Sequence, residues 1–535
     1  MNEIYQIPWQ NIGDLLRRQT ETYRDKPWLI FYCDASGRHE LSYRQFYERV
    51  ARTSNYLLAR GVAKGDRIAT VTHNHADTVV HYWAAWTLGA VVVPINLGED
   101  DRRIGHILKK SGAKLALVRE PYVPRIEAIV AAAPSVEAIV RVGTAEDDSL
   151  ERFAGQLDSL PAVGADDEAL IVYTSGTTGL PKGVVLTQRN LLVDAHAIAQ
   201  WHRMTPDQRM MCVLPLHHVN GTVVTLMTPM VYGGSVVLNQ KFHSERFFER
   251  VAAEKVHVAS VVPTLLRFLL HANIDVSCHD LRHFRHLICG AGPLSVELAL
   301  KFEDRFGIPI IHGYGLSETT CYSCFLPLDL TSQEHYRWLS EYGFPSIGVP
   351  IPPNEMAIRD DRGHELPEGA RGEIVVRGAN VMKEYYAEPE ANRAAFSHGW
   401  FRSGDEGFYR TDSQGRRFFF ISGRIKELII RGGINISPFE IDEVLLRIPG
   451  VKAGLAIAFE NDWYGEEIGA YVQMLDGNSL TEAEVIAHCR KHFVYAKCPK
   501  VVIFGDDVPI TSTGKYQRNK LKSLFEKWKG VQFKE

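Results

Sequence analysis

A run of glycines, hydroxyl side chains and one lysine follows the apolar segment ALIV, and this composition suits the binding of phosphate groups. The run is YTSGTTGLPKG, residues 173–183. Glycines let backbone N–H groups approach an anion closely, hydroxyls add hydrogen-bond donors, and lysine adds positive charge. The segment predicts a loop for a triphosphate, with a solvated surface turn as the structural alternative. Its candidate phosphate ligands are Thr174, Ser175, Gly176, Thr177, Thr178, Gly179 and Lys182.

This loop is not the common P-loop. That motif, GxxxxGK[ST], places a hydroxyl directly after its lysine so that the hydroxyl can bind magnesium. Here Gly183 follows Lys182. The same chemical groups are therefore present in a different arrangement.

Alternating helix and strand signals surround the loop. The segment SYRQFYERVARTSNYLLARG begins with a capping box, Ser42 and Gln45, and predicts an amphipathic helix that stops at Gly61. A strand, glycine turn, helix and strand are predicted again over 285–315. Such alternation favours a mostly parallel sheet with right-handed crossovers. After residue 345 short strands and turns predict an antiparallel region, and beyond about residue 426 the pattern is that of a small α+β unit.

Composition and charge exclude several classes of function. The chain has 535 residues, with 60 basic and 64 acidic side chains and a formal net charge of -4, which argues against a nucleic-acid partner. The apolar stretches end well before the roughly 20 residues that span a bilayer, so no transmembrane segment is expected. The N-terminus lacks the apolar core of a secretory signal, which favours a cytoplasmic protein. The eight cysteines are expected to be reduced packing residues.

Seven further motifs follow the loop in a fixed order. They are LPLHHVNG (214–221), GAGPL (290–294), GYGLSETT (313–320), GEIVVRG (372–378), GWFRSGDEG (399–407), GRIKELIIRGGINISPFEID (423–442) and PITSTGK (509–515). Together with the loop, this series resembles the adenylate-forming superfamily, which comprises acyl-CoA synthetases, adenylation domains and firefly-type luciferases. The resemblance covers nearly the whole chain and is closest in pattern to the AMP-forming acyl-CoA synthetases.

The resemblance implies a fold and a division into domains. We expect an α/β protein with a large N-terminal domain, residues 1–425, made of layered, parallel-rich sheets and helices with a small β-barrel-like region. A small mobile α+β domain, residues 426–535, would follow it, with the hinge at Lys426.

The resemblance also implies the reaction. A carboxylate attacks the α-phosphorus of ATP, pyrophosphate leaves, and a thiol then attacks the acyl-adenylate. Because the first step brings two anions together, charge neutralisation should dominate its catalysis. ATP, Mg²⁺ and CoA as co-substrate are expected. Glu318 is similar to the magnesium-holding glutamate of the family, and Thr319 to the residue that contacts the α-phosphate or the substrate carboxylate. Lys515 should stabilise the adenylation transition state.

Further roles follow from the same motifs. Tyr314 would stack on adenine against the backbone of Gly290, Ala291 and Gly292. Asp405 and Arg424 resemble the pair that grips the ribose hydroxyls and the adjacent phosphate, with a surface ion pair as the alternative. Rotation at Lys426 would withdraw Lys515 and bring Gly432 and Gly433 to line a thiol tunnel.

The substrate is expected to be an acyl or aryl acid. Adenylation domains for α-amino acids carry an aspartate in the segment corresponding to 214–221, and no acid is present there. His218 matches the histidine or aromatic gate of the acyl pocket, whereas His217 replaces a common phenylalanine. Adjacent histidines on a strand would point to opposite faces, which argues against zinc. The other expected pocket residues are Val262, Thr264, Cys289 and Leu316.

Three functions remain open at this point. The first is an AMP-forming acyl-CoA synthetase, possible also as a homodimer. The second is a stand-alone ligase that loads an acyl carrier protein. No carrier domain follows residue 535 and the insertion typical of fatty acyl-AMP ligases is missing, so CoA is favoured. The third, a non-catalytic nucleotide-binding protein, is disfavoured because Glu318, Asp405, Arg424 and Lys515 are all retained.

Overall fold

The computed structural model describes residues 5–131, 133–143, 150–157, 161–174, 180–272, 274–510 and 516–534. The helices are α1 (Ile12–Tyr23), α2 (Tyr43–Ala59), α3 (Ala76–Thr87), α4 (Asp101–Ser111), α5 (Val123–Val130), α6 (Gln188–Trp201), α7 (Thr228–Tyr232), α8 (Ser244–Ala253), α9 (Pro263–His271), α10 (Val296–Phe306), α11 (Ser332–Ser340), α12 (Pro389–Ala395), α13 (Pro438–Leu446) and α14 (Glu482–Arg490). Within the described ranges, no helix is both long and apolar enough to cross a membrane.

The strands form four sheets. They are β1 (Pro27–Cys33), β2 (Gly37–Ser42), β3 (Arg67–Val71), β4 (Val91–Pro94), β5 (Leu115–Arg119), β6 (Ala138–Val142), β7 (Glu168–Thr174), β8 (Lys182–Thr187), β9 (Arg209–Cys212), β10 (Ser235–Asn239), β11 (Val258–Val261), β12 (His286–Cys289), β13 (Ile310–Tyr314), β14 (Cys324–Phe325), β15 (Val349–Pro350), β16 (Asn354–Arg359), β17 (Gly372–Gly378), β18 (Glu384–Tyr385), β19 (Phe401–Thr411), β20 (Arg417–Arg424), β21 (Ile429–Arg431), β22 (Ile434–Ile436), β23 (Val451–Asn461), β24 (Gly465–Met474) and β25 (Val501–Phe504).

Two large sheets form the centre of the molecule. The nine-stranded sheet has the order β15-β14-β13-β12-β11-β9-β10-β1-β2 and is parallel from β13 to β1. The seven-stranded sheet has the order β18-β8-β7-β4-β3-β5-β6 and is parallel from β7 to β6. Central strands of the two sheets, such as β4, β10 and β12, are buried on both faces, as is typical of parallel sheets. The expected α/β architecture is confirmed, including the capping box of Ser42 and Gln45 at the start of α2.

Smaller sheets follow along the chain. The antiparallel region expected after residue 345 is a four-stranded sheet in the order β16-β17-β19-β20. Strands β21 to β25 form a separate sheet in the C-terminal part, where α13 and α14 pack against it over a core that includes Ile441, Ile468 and Cys489. The sheets change between Arg424 and Ile429, close to the predicted boundary at residues 425 and 426.

Polar contacts join the C-terminal unit to the rest of the chain. Arg371 donates to Glu440 on α13 at 2.5 Å, and the hydroxyl of Ser437 donates to the carbonyl of Ser422. Because a partly exposed ion pair is worth little, these contacts favour one arrangement of the two parts without locking it.

A buried carboxyl group anchors the loop that follows β13. Asp194 on α6 is fully buried, and its Oδ1 accepts a 2.8 Å hydrogen bond from Asn380 Nδ2. The side-chain amide of Asn380 also donates to the carbonyl of Tyr322 at 2.9 Å, and the main-chain carbonyl of Asn380 accepts from the hydroxyl of Thr320 at 2.6 Å. Burial raises the pKa of Asp194 to about 8, so this acid is protonated at neutral pH. The motif GYGLSETT is thereby fixed from behind by a neutral hydrogen-bonded group.

The protonated state of Asp194 predicts a pH dependence of stability. The unfolded chain releases this proton near pH 4, whereas the folded protein keeps it up to about pH 8. The free energy of unfolding should therefore fall as pH rises through this interval. We expect Asp194→Asn to remove this dependence and to gain on the order of 2–5 kcal/mol over the wild type at pH 8. Urea unfolding of both proteins at pH 5 and pH 8 measures this difference in the free energy of unfolding.

Asp166→Asn is the matched control, because Asp166 is a surface acid with 81% of its side chain exposed. In Asp166→Asn, the change in the free energy of unfolding between pH 5 and pH 8 should equal that of the wild type. An unchanged slope in Asp194→Asn would contradict the assignment of a buried, protonated acid.

Candidate functional site

The carboxyl ends of parallel strands bring the sequence motifs together. Strands β11, β12 and β13 pair in register, with Val261 opposite Cys289 and Cys289 opposite His312. The segments that leave these strands include residues 262–264, GAGPL and GYGLSETT, and LPLHHVNG leaves the neighbouring β9. Ligands of open α/β sheets bind at this edge. Motifs that are far apart in sequence thus become neighbours there.

A buried carboxylate forms the nucleotide side of the site. Asp405 Oδ2 accepts a 2.7 Å hydrogen bond from the Tyr314 hydroxyl, and Asp405 Oδ1 lies 3.2 Å from Arg424 Nε. Asp405 and Arg424 face each other across β19 and β20. Burial raises the pKa of Tyr314 well above its ordinary value, which keeps the phenol a donor, and the charge of Asp405 raises the pKa of Arg424. Asp405 thus contacts both Arg424 and Tyr314, and binding of ribose and adenine by these residues stays a prediction.

The glycine turn after β12 is shaped by packing. A Cβ at Gly290 would lie 2.6 Å from the Tyr322 hydroxyl and 2.8 Å from the Gly313 carbonyl, so no side chain fits there. Ala291 has a φ of +63°, and a Cβ at Gly292 would make an ordinary 3.5 Å contact with Pro263. The need for glycine at 290 thus comes from Tyr322 behind the turn, and contact of this backbone with adenine stays a prediction.

The predicted metal ligand lies in a short 3₁₀ turn, Ser317–Thr319. Glu318 Oε1 accepts a 2.8 Å hydrogen bond from the hydroxyl of Tyr385, and its main-chain carbonyl accepts from Met382 N at 2.7 Å. Thr319 is buried, and its hydroxyl oxygen accepts from Leu316 N at 3.0 Å. Burial, followed by the charge of Glu318, raises the pKa of Tyr385 above its ordinary value. Glu318 is therefore an oriented carboxylate rather than a solvated surface charge.

The predicted phosphate loop connects the antiparallel strands β7 and β8. Thr174 and Lys182 face each other at the end of this hairpin. Lys182 Nζ lies 5.2 Å from the ring centroid of Tyr385, within the range of a cation–π contact. Five predicted ligands, Ser175, Gly176, Thr177, Thr178 and Gly179, lie outside the described residues, as does Lys515.

The donor set around Glu318 fits magnesium held partly by substrate. Among the described residues, no group of three or more His, Cys, Asp or Glu side chains could hold a metal by itself. Mg²⁺ commonly uses one or two carboxylates, water and substrate phosphates rather than a cage made of protein. Glu318 beside the phosphate hairpin provides such a carboxylate.

The predicted acyl segment differs in one respect from expectation. His217 and His218 lie in a turn and not on a strand, and their ring centroids are 4.3 Å apart. The expectation that they point to opposite faces was wrong, because a turn lacks the side-chain alternation of a strand. Burial lowers the pKa of His217 to about 4, so its imidazole is neutral at pH 7. The other predicted pocket residues follow the same sheet edge: Val262 and Cys289 are buried, and Thr264 and Leu316 are half-buried.

The predicted hinge and tunnel residues lie near the start of the C-terminal sheet. Lys426 is exposed in the 3₁₀ turn Ile425–Glu427. Gly432 and Gly433 have φ angles of +56° and +83° and form the exposed two-residue turn between β21 and β22. Positive φ at both positions is typical of a type I′ hairpin, so local geometry alone requires glycine here. A role in thiol transfer stays a prediction.

Sequence reasoning missed the residues that support the site from behind. Tyr385, Asn380 and Asp194 contact the GYGLSETT segment or its neighbours across long stretches of chain. Their position was the one signal in the sequence, because Asn380 and Tyr385 lie two and seven residues beyond the end of the GEIVVRG motif. No local spacing links Asp194 to it.

Comparison with known proteins agrees with this geometry. The AMP-binding enzyme family matches residues 16–386, and the AMP-binding enzyme C-terminal domain matches residues 440–515. A sulfoacetate–CoA ligase of Cupriavidus necator is 35% identical over 519 residues, which cover 96% of this chain and 97% of that protein. The long-chain-fatty-acid–CoA ligase FadD13 of Mycobacterium tuberculosis is 32% identical and covers 96% of this chain and 99% of its own.

Solved structures extend this similarity to the fold. The ATP-bound structure of MatB from Rhodopseudomonas palustris has a TM-score of 0.86 at 28% identity and covers 96% of this chain and 99% of its own. The first family match spans well over half of the chain, and the second falls within the C-terminal unit. The chain therefore belongs to the AMP-binding enzyme family, as an adenylate-forming protein with the sequence pattern of acyl-CoA synthetases.

Proposed function

We propose that the residues gathered at the sheet edge convert a carboxylic acid into its CoA thioester in two steps. Curated relatives that match nearly their full length are CoA ligases, and the protein is an AMP-forming acid–thiol ligase. The observation that carries the assignment of the site is the group formed by the buried Tyr314 and Asp405 with the partly exposed Arg424, one short loop away from Glu318. This group offers polar side chains to a nucleotide, and the nearby Glu318 offers a carboxylate suited to magnesium.

In the first step a carboxylate oxygen of the substrate forms a bond to the α-phosphorus of ATP. The bond from that phosphorus to the bridging oxygen breaks, and pyrophosphate leaves. Asp405 and Arg424 hold the ribose and the adjacent phosphate, while Lys182 and the loop 175–179 hold the leaving phosphates. Glu318 would hold Mg²⁺, which would supply charge neutralisation on the phosphates. Thr319 and Lys515 contact the reacting carboxylate and α-phosphate, where oriented positive charge is most effective.

In the second step the thiol sulfur of CoA attacks the acyl carbon, the bond from that carbon to the AMP oxygen breaks, and the thiol proton passes to solvent. Before this step, residues 426–535 would rotate about Lys426, which withdraws Lys515 and brings Gly432 and Gly433 to the path of the thiol. Lys426 is supported as the pivot by its exposure in a short turn between two sheets. Gly432 and Gly433 form a turn without side chains, which suits the wall of a narrow passage for pantetheine.

The substrate is an acid without a charged α-amino group. The segment 214–221 contains no carboxylate to pair an ammonium, and the buried His217 beside the gate residue His218 is neutral. A buried ammonium without a partner would be costly. The named relatives act on acids as different as sulfoacetate and long-chain fatty acids, so a broad screen is needed.

The test is a pyrophosphate-release screen over sulfonated, short, long and aromatic acids, each with and without CoA. An acid that gives pyrophosphate and a CoA thioester supports the assignment. Thioester formation with a phosphopantetheinylated carrier protein but not with CoA would favour the carrier-loading alternative. Nucleotide binding without turnover of any acid would favour a non-catalytic protein.

Lys515→Ala should lower acyl-adenylate formation at least 100-fold, because a preorganised charge at the transition state is lost. Transfer from synthetic acyl-adenylate to CoA should persist, since this step does not need the lysine. Pyrophosphate exchange measures the first step and thioester formation the second. Lys522→Ala, on the exposed C-terminal segment, is the control and should match the wild type in both. Normal pyrophosphate exchange in Lys515→Ala would refute its role.

Lys426→Pro should slow thioester formation at least tenfold while adenylate formation continues, because proline fixes φ and blocks rotation at this residue. Single-turnover assays separate the two steps. Lys426→Ala is the matched variant, since it removes the side chain but keeps the backbone free. We expect it to form thioester at nearly the wild-type rate. Equal losses in both variants would assign the effect to the side chain and contradict a backbone hinge.

A further inference from the structure

Tyr385 connects the two charged groups that the proposed function places around pyrophosphate. Its hydroxyl donates to Glu318 Oε1 at 2.8 Å, and its ring lies under Lys182 Nζ at 5.2 Å from the centroid. Glu318 lies in the turn that follows β13 of the nine-stranded sheet, whereas Lys182 lies in β8 of the seven-stranded sheet, far away in the chain. One tyrosine thus contacts both the candidate metal ligand and the lysine of the phosphate hairpin.

The backbone of Tyr385 is held on both sides. Strand β18 pairs with β8, which places Tyr385 opposite Val184. Lys182 and Val184 lie on the same face of β8, so the ring and the lysine are diagonal neighbours across the two strands. On the other side, Asn392 of α12 accepts from Tyr385 N at 2.6 Å and donates to the Tyr385 carbonyl at 2.9 Å. The backbone of Tyr385 is therefore held in place, so its side-chain hydroxyl starts from a defined position.

The main chain strengthens the link to Glu318. Met382 N donates to the Glu318 carbonyl at 2.7 Å, three residues before Tyr385. The segment 382–385 thus binds Glu318 through one backbone and one side-chain hydrogen bond. A carboxylate fixed at one oxygen can present its other oxygen to a cation in a defined direction.

We propose that Tyr385 is a positioning residue that orients Glu318 toward Mg²⁺ and Lys182 toward the leaving pyrophosphate. The proposal rests on the function proposed above and adds a residue to it. The hydroxyl orients the carboxylate, because a hydrogen bond to one oxygen limits rotation of the group. The ring face stabilises the ammonium above it through its quadrupole. The hydroxyl and the ring can therefore be tested separately.

Tyr385→Phe keeps the ring and removes the hydroxyl. We expect the Mg²⁺ concentration for half-maximal pyrophosphate release to rise about tenfold, as is usual when a group that orients a metal ligand is lost. Independently of turnover, calorimetry should show weaker binding of ATP in the presence of Mg²⁺ and unchanged binding of ATP in EDTA. Tyr385→Leu should weaken ATP binding under both conditions, because the ring below Lys182 is also lost.

Tyr386→Phe is the matched control. Tyr386 adjoins Tyr385 but packs against a different core, which includes Val93 and Ile171. It should keep the wild-type magnesium dependence. A double-mutant cycle of Tyr385→Phe with Glu318→Gln distinguishes a specific coupling between the two residues from a general loss of stability. If Tyr385 acts through Glu318, removal of its hydroxyl should weaken Mg²⁺-dependent ATP binding little in the Glu318→Gln background. The losses of the two single variants will then not add in the double variant.

The outcomes separate this inference from the proposed function. A wild-type protein that binds ATP equally with and without Mg²⁺ would overturn both the metal site and the role of Tyr385. A magnesium-dependent wild type with an unchanged Tyr385→Phe variant would overturn only the inference. Additive losses in the cycle, or equal losses with Mg²⁺ and in EDTA for Tyr385→Phe, would also overturn it.

Discussion

The hydrogen bond from Tyr314 to Asp405 joins the nine-stranded sheet to the antiparallel four-stranded sheet, and the other candidate site residues lie around it. Tyr314 ends a parallel strand of the nine-stranded sheet, whereas Asp405 lies in the antiparallel sheet, and their 2.7 Å contact is buried. Glu318 follows Tyr314 by four residues. Arg424, opposite Asp405, ends its strand two residues before Lys426. The candidate metal ligand, the candidate ribose pair and the proposed hinge residue are therefore positioned relative to one contact, because rigid elements rather than long loops connect them.

Two buried carboxyl groups, Asp405 and Asp194, have partners of different charge. Asp405 lies beside Arg424 and receives the Tyr314 hydrogen bond, whereas Asp194 receives an amide hydrogen bond from Asn380. Burial without a cation raises the pKa of Asp194 to about 8. The support behind the GYGLSETT segment is thus a neutral acid, whereas Asp405 is paired with the cation Arg424. In the proposed site, a charged support would add to the repulsion between the protein and the phosphate anions.

The sequence predicted those parts of the fold and site that depend on local chemistry. Capping at Ser42, glycine turns and apolar strands reflect interactions within a few residues, and motif order placed Asp405 beside Arg424 correctly. The turn that brings His217 and His218 together depends on packing of neighbouring segments, so the pair was wrongly placed on a strand. Tyr385 was missed because its partners, Glu318 and Lys182, are distant in sequence. Such contacts leave no periodic signal in a single chain.

The C-terminal unit connects the hinge to the segment that carries Lys515. Arg518, three residues beyond that lysine, is buried, donates to Asp442 on α13 and lies 3.9 Å from Glu427, the neighbour of Lys426. On the other side of the segment, Ile510 pairs with Tyr516. Breaking a buried ion pair would leave an uncompensated charge, so Arg518 and α13 should move as one body. If Lys426 is the hinge that we propose, its rotation would carry the Lys515 segment with α13, so that a change of a few backbone angles would exchange one half-reaction for the other.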